Sequence, residues 1–161
     1  MKFGMFYEIQ VPKPWHEDKE FEIYQQVLDQ AQLADEVGFD SFWTVEHHFF
    51  SEFSHCSAPE VLYGAVSQRT KNIRIGHGVV LLPFPYNHPV RVAERVAVLD
   101  LLSNGRIDVG TGRSTTAIEL DGFGIPAEET RARWDEALHM LPQIWTNETF
   151  EWEGKYFKIP P

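Results

Sequence analysis

Cysteine is nearly absent: Cys56 is the only one in 161 residues. No disulfide can form within the chain, so the fold must rest on a buried apolar core, and the composition fits a reducing compartment. Long apolar runs are also missing; none approaches the roughly 20 residues that a membrane-spanning helix needs. The opening MKFGMFYEIQ lacks the charged start, apolar middle and cleavage site of a secretory signal. Basic residues are few, 14 Lys and Arg against 24 Asp and Glu, for a formal net charge of −10. That balance argues against nucleic acid or an anionic membrane surface as the partner. What remains is a soluble, cytoplasmic, globular protein whose residues 1–161 form a single domain.

Hydrophobic residues make up 43% of the chain, and their spacing lays out the elements. FGMFYEI (3–9) predicts a short buried strand, followed by a loop through VPKPW. From Glu20 to Val37 the positions Phe21, Tyr24, Val27, Leu28, Ala31, Ala34 and Val37 recur every three or four residues, the period of an amphipathic helix. Gly38 stands where a left-handed cap would close it. SFWTV (41–45) predicts the next strand, and Ala58–Arg69 a helix with Pro59 in its first turn. IRIGHGVVLL (73–82) predicts a third strand, Val90–Leu102 a helix stopped by SNG, and RIDVG (106–110) a fourth strand. A Gly-rich loop, TGRSTTAIELDGFGIP, leads to a helix over Glu128–Trp145 and then to a hairpin turning at Glu153-Gly154.

The order is therefore four β-α units and a hairpin, an α/β chain. Strand starts near 41, 73 and 106 repeat every 32 or 33 residues, against roughly 31 per unit in a (β/α)8 barrel. A doubly wound sheet has similar spacing, so both architectures stay open. Four units make half a barrel, whose outer strands expose backbone groups and an apolar face: either another copy of the chain covers them, or the chain is a fragment, or the sheet is not a barrel.

In parallel α/β folds ligands bind at the carboxyl ends of the strands. Here those ends are Glu8–His16, Glu46–Ser57, Pro83–His88 and Gly110–Phe123. The second contains EHHFFSEFSH, for which a metal site, a polar loop and the mouth of an aromatic cofactor pocket compete. Adjacent imidazoles diverge on an extended backbone, so His47 and His48 are poorly placed to share an ion. The helical HExxH pattern is absent, which leaves Glu46, His48 and His88 as the conceivable metal set. No Gly-x-Ser-x-Gly elbow supports a hydrolytic serine, and a lone cysteine is more often a small buried residue.

GTGRSTT (110–116) offers Gly110 and Gly112 for close backbone approach, Arg113 to pair with phosphate, and hydroxyls such as that of Ser114. It lacks the Gly-Lys-Ser/Thr ending of a P-loop and breaks GxGxxG at Thr115, so a phosphate cradle and a plain βα loop both remain. In IGHGVV (75–80) two glycines interrupt an apolar strand, as at a bulge or the close approach of a ligand, and His77 fits a core or a site.

Together, EHHFFSEF (46–53), LPFPYNHPVRVAERVAVLDLLSNGR (82–106) and DVGTGRS (108–114) resemble the bacterial luciferase-like, flavin-dependent monooxygenases. MKFGMFYE at the start and FEWEGKYFKI at the end fit the same family. The resemblance implies a (β/α)8 TIM barrel, with the first four β/α units plus a terminal β-hairpin present here as a half-barrel. It implies reduced flavin mononucleotide (FMN) as cofactor, with a deazaflavin less favoured, and a separate flavin reductase that supplies it. Dioxygen and a small organic substrate such as an aldehyde complete the reaction.

The resemblance also implies residue roles. His47 matches the active-site histidine, an imidazole able to move protons near neutral pH. Phe49, Phe50 and Phe53 would wall it from water. Arg113 matches the arginine on the flavin phosphate, and Gly78-Val79 the place of a non-prolyl cis peptide beneath the flavin ring. Glu46, Gly110 and Ser114 fill out the expected cofactor-binding set. Gly112 stands where luciferase itself has a reactive cysteine, so light emission is not implied. The alternative reading is a non-catalytic flavin-binding or assembly protein made by pairing half-barrels, and a metal hydrolase on the same frame is more remote.

Overall fold

Four strands lie side by side in chain order, β1 (Gly4–Tyr7), β2 (Ser41–Thr44), β3 (Arg74–Leu81) and β4 (Ile107–Gly112), in the computed structural model, which describes residues 1–161. The β1–β2 and β2–β3 pairs are parallel, with Phe6 opposite Trp43 and Trp43 opposite Gly76. Within these four strands the order is sequential, with no point at which the winding reverses, as in successive units of a barrel. The helices between strands are α1 (Lys19–Glu36), α2 (Pro59–Arg69) and α3 (Pro89–Ser103). The chain divides into two compact units, Met1–Val80 with Val98–Gly110 and Leu81–Ala97 with Thr111–Pro161.

In the first unit the period-2 pleat sorts the strand residues. Phe42 and Thr44 of β2 and Ile75 and His77 of β3 are buried. Phe42 and Ile75 join a core with Val27, Leu28 and Ala31 of α1 and Leu62, Tyr63 and Val66 of α2. The Tyr63 phenol is fully buried yet satisfied, at 2.6 Å from Thr44 Oγ1 and donating to Gly76 O at 2.8 Å. On the opposite pleat Trp43 is half-buried and Phe6 exposed. Gly76 makes room for the indole, since a Cβ there would lie 2.2 Å from Trp43 Cε3. The glycine that suggested a bulge or a ligand therefore serves the packing of a neighbouring strand.

Two polar clamps tie helix ends to strand starts in this unit. Gly38 has φ 88°, Gly38 N–H donates to Asp35 O and Phe39 N–H to Ala34 O, the paired bonds of a Schellman cap. Directly inside that cap, the Asp35 carboxylate accepts the N–H groups of Lys71, Asn72 and Ile73 at 2.7, 2.8 and 2.6 Å. Arg106, buried at the start of β4, donates to the carbonyls of Ser67, Thr70, Ile73 and Ser103 and to Thr70 Oγ1. Burial pulls its pKa down, partly opposed by Asp35, and the five acceptors replace the water it gives up.

In the second unit, two expectations need correction. The Gly-rich stretch after β4 is not all loop: Ala117–Phe123 forms α4, followed by a 3-10 turn at Ala127–Glu129 and α5 (Thr130–Thr146). Gly124, at φ 65°, is the left-handed cap of α4, with Ile125 N–H on Leu120 O, so this glycine ends a helix rather than loosening a loop. The hairpin is also wider than a two-residue turn, since β5 (Trp152–Glu153) pairs with β6 (Lys158–Ile159) across residues 154–157. Glu136 of α5 explains the wider turn. Its carboxylate accepts the N–H groups of Lys155, Tyr156 and Phe157 and the indole N–H of Trp152.

Candidate functional site

Two strand exits in the first unit converge on His47. β1 ends at Tyr7 and delivers Glu8; β2 ends at Thr44 and delivers Glu46, His47 and His48. His47 Nε2 lies 3.7 Å from Glu8 Oε2, and both side chains are about three-quarters covered, at 25% exposure each. The rings of Phe50 and Phe53 meet the His47 imidazole edge-on at 5.5 and 5.7 Å. A proton on His47 therefore has a carboxylate beside it and aromatic walls around it. Glu46 is buried, with Oε1 at 3.2 Å from His48 Nε2, so the two adjacent histidines face different carboxylates. No group of three His, Cys, Asp or Glu side chains is gathered as a metal ion requires.

The loop that carries these groups is pinned at both ends. His47 N–H donates to Cys56 O, His55 N–H to Ile9 O, and Val11 N–H to Glu52 O. Four non-glycine residues have left-handed φ, and three of them flank candidate residues: Ile9 at 53° after Glu8, Phe49 at 66° near His47, and Ser114 at 53° after Arg113. For Ile9, β-branched and buried, that conformation is costly and is held by the surrounding packing.

The Gly78–Val79 bond, where the resemblance places a non-prolyl cis peptide, is cis. A Cβ on Gly78 would sit 3.1 Å from Phe6 Cε2 and 3.4 Å from Thr44 O. At Gly110 a Cβ would lie 2.3 Å from His77 O, so the strands themselves require this glycine. His77 is buried edge-on to Tyr63 at 4.7 Å and is a core histidine. Cys56 is buried too; burial, with Glu46, Glu60 and Glu8 nearby, pushes its thiol up to about 11 despite a hydrogen bond to Thr44, which leaves it unreactive.

In the second unit Arg113 is exposed, and one guanidinium nitrogen donates to Thr130 Oγ1 at 2.9 Å. Thr130 is buried and its hydroxyl donates to Ala127 O, so the acceptor is itself fixed. Arg113 has further N–H donors beyond the one on Thr130, and its side chain is exposed, which suits an incoming anion. Ser114 Oγ donates to the buried Glu119 at 2.6 Å and accepts Thr116 N–H, so its hydroxyl braces the loop. His88 packs against Phe84 and Phe157, and burial lowers its pKa, which favours a neutral ring at neutral pH.

The luciferase-like monooxygenase family profile matches residues 1–161. The chain belongs to this family. Among luciferase-like relatives, it is 35% identical over 147 residues to a limonene 1,2-monooxygenase of Rhodococcus erythropolis, an alignment covering 89% of this chain and 37% of the relative. It is 33% identical over 138 residues to an F420-dependent glucose-6-phosphate dehydrogenase of Amycolatopsis mediterranei, covering 83% and 41%. The solved oxygenating constituent of a 3,6-diketocamphane monooxygenase from Pseudomonas putida, in complex with FMN, superposes with a TM-score of 0.87 at 26% identity, covering 99% and 43%. This luciferase-like chain thus spans less than half the length of these relatives.

Sequence reasoning missed Glu8, Thr130 and Glu119. Glu8 carried a usable signal, an acid directly after a strand. Thr130 and Glu119 carried none, because a helix-start threonine and a mid-helix glutamate have many ordinary uses.

Proposed function

We propose that residues 1–161 form a single N-terminal half of a (β/α)8 barrel in a flavin-dependent monooxygenase that uses reduced FMN and dioxygen to oxygenate a small organic substrate. The observation that carries this reading is Arg113, exposed and held through one nitrogen by Thr130. An FMN phosphate matches its charge, and the match to the luciferase-like family supports the choice of chemistry. When bound, reduced FMN supplies the electrons with which one atom of dioxygen enters the substrate.

The chain's own residues have narrower tasks. Arg113 pairs with the phosphate. His47 gives or takes a proton at Nε2, which lies 3.7 Å from the Glu8 carboxylate. Phe50 and Phe53 exclude water from around it. Glu46 works at one remove, by orienting His48. Gly78 and Val79 present their backbone to the flavin ring. A separate reductase delivers the reduced flavin, and the chain forms a homo-oligomer. The deazaflavin F420 is the alternative cofactor, raised by the name of the Amycolatopsis relative.

Titrating the purified chain with FMN and, in parallel, with F420, by quenching of their fluorescence, tests this reading. Saturable FMN binding that is lost in Arg113→Ala supports it. Equal affinity in Arg113→Ala, or saturation by F420 alone, overturns it.

A further inference from the structure

His55 closes the loop that His47 opens. Its ring nitrogens both face acceptors: Nδ1 is 2.5 Å from Glu20 Oε1 on α1, and Nε2 is 3.0 Å from Ser51 O within the loop. A neutral imidazole has one N–H and can serve only one of them; two N–H groups exist only in the imidazolium. The backbone on either side is held as well. His55 N–H donates to Ile9 O, and the Tyr24 phenol donates to His55 O at 2.7 Å. Burial, together with Cys56 and Glu20, pushes that phenol up to about 12, so it stays a donor throughout the neutral range.

The bond from His55 to Ser51 O fixes the segment between Phe50 and Phe53, the two rings packed on the His47 imidazole. The next residue, Cys56, accepts the His47 N–H at 3.0 Å. Both the ring packing and the backbone of His47 are thus coupled to one side chain eight positions away.

We propose that His55 is a positioning residue, held as an imidazolium between Glu20 and Ser51, whose deprotonation releases the 46–56 loop and with it His47. The latch stands on the loop's own geometry; its bearing on chemistry rests on the role given to His47 above.

The charges that face His55 are few. Glu20 is in contact, and His16, Glu17 and Lys19 line the same small cavity with Val11 and Trp15. His16 is itself turned toward Glu22, 3.5 Å away. Burial works against charge on His55, but the Ser51 carbonyl and the Glu20 carboxylate outweigh it and raise its pKa. The sign follows from the linkage between folding and protonation. With the folded value above the unfolded one of about 6.5, the latch contributes fully below that value and is lost as pH rises through the folded value. The loop is tight while His55 is charged and loosens as pH rises through its raised folded value.

The test is a histidine-selective NMR titration of the full chain, joined to amide exchange at His47 corrected for its intrinsic pH dependence. The His55 ring is expected to titrate above the ordinary histidine value. Protection of the His47 amide should fall roughly threefold to tenfold across that same transition, the weight of one partly exposed charged hydrogen bond. Glu20→Gln, a change at an exposed side chain, should move both transitions to lower pH together. His55→Gln should abolish the pH dependence. A His55 titration at or below the ordinary value, or His47 protection that follows the same curve in Glu20→Gln, overturns the proposal. His47→Ala separates the two readings: it removes turnover if His47 is catalytic and leaves the His55 titration in place.

Discussion

Gly76 lies directly beneath the indole of Trp43, its register partner on the next strand, with no room for a methyl group between them. Gly76→Ala is therefore expected to cost about 2 kcal/mol, because the bulky ring must move to admit the new carbon. Urea denaturation checks it. In the background of Trp43→Val the same change should cost far less, and equal costs in both backgrounds would rule out the steric explanation.

Asp35 gives the fold an acid-sensitive joint. Burial opposes its charge, but the N–H groups of Lys71, Ile73 and Asn72 outweigh that and hold its pKa below the usual carboxylate value. A depressed folded value contributes stability above the unfolded pKa of about 3.9 and loses it as pH falls through the folded value. Asp35→Asn should lower stability by about 2 kcal/mol at neutral pH. That gap from wild type should close in strong acid, as read by denaturant midpoints from pH 7 down to 2.

Glu136 should behave as the anchor of the hairpin. Glu136→Gln removes the charge that gathers three backbone N–H groups, and Gly154→Ala places a carbon 2.0 Å from Glu136 Oε1. Either change should speed amide exchange at Lys155, Tyr156 and Phe157 by about tenfold or more. Unchanged exchange there would mean that β5–β6 pairing alone holds the turn.

Thr130→Val tests whether Arg113 must be pre-positioned to take an anion. The shape is kept and the acceptor lost, so FMN affinity should fall about threefold to tenfold while the circular dichroism stays that of wild type. Affinity equal to wild type would show that the guanidinium orients itself on the ligand.

The strand and helix order was legible because the core is periodic. The buried set Val27, Leu28, Ala31 and Ala34 is the stripe expected on α1, and Gly38 caps where it should. Strand order was not legible, because equal spacing suits two windings and register is set by non-local pairing. α4 was hidden because Gly122 and Gly124 both read as breakers, although only Gly124 is one. At the site, the sequence pointed to His47 and Arg113 through their neighbours. The residues that orient them, Glu8 and Thr130, are 39 and 17 positions away and become visible only when strand ends are brought together. Arg106 shows the converse: a residue within a family-like run is spent on five acceptors of the scaffold.

The half-buried indole of Trp43 also makes the protein its own optical instrument. It lies over Gly76 and near Gly78, on the pleat opposite the helical core. With Trp15, Trp134, Trp145 and Trp152 replaced by Phe, a single emitter would remain beside the cis Gly78–Val79 bond. Its colour would shift toward the blue whenever a ligand or a second chain drove water from that side of the sheet. Arrival at the sheet could then be timed in milliseconds, without labelling either partner.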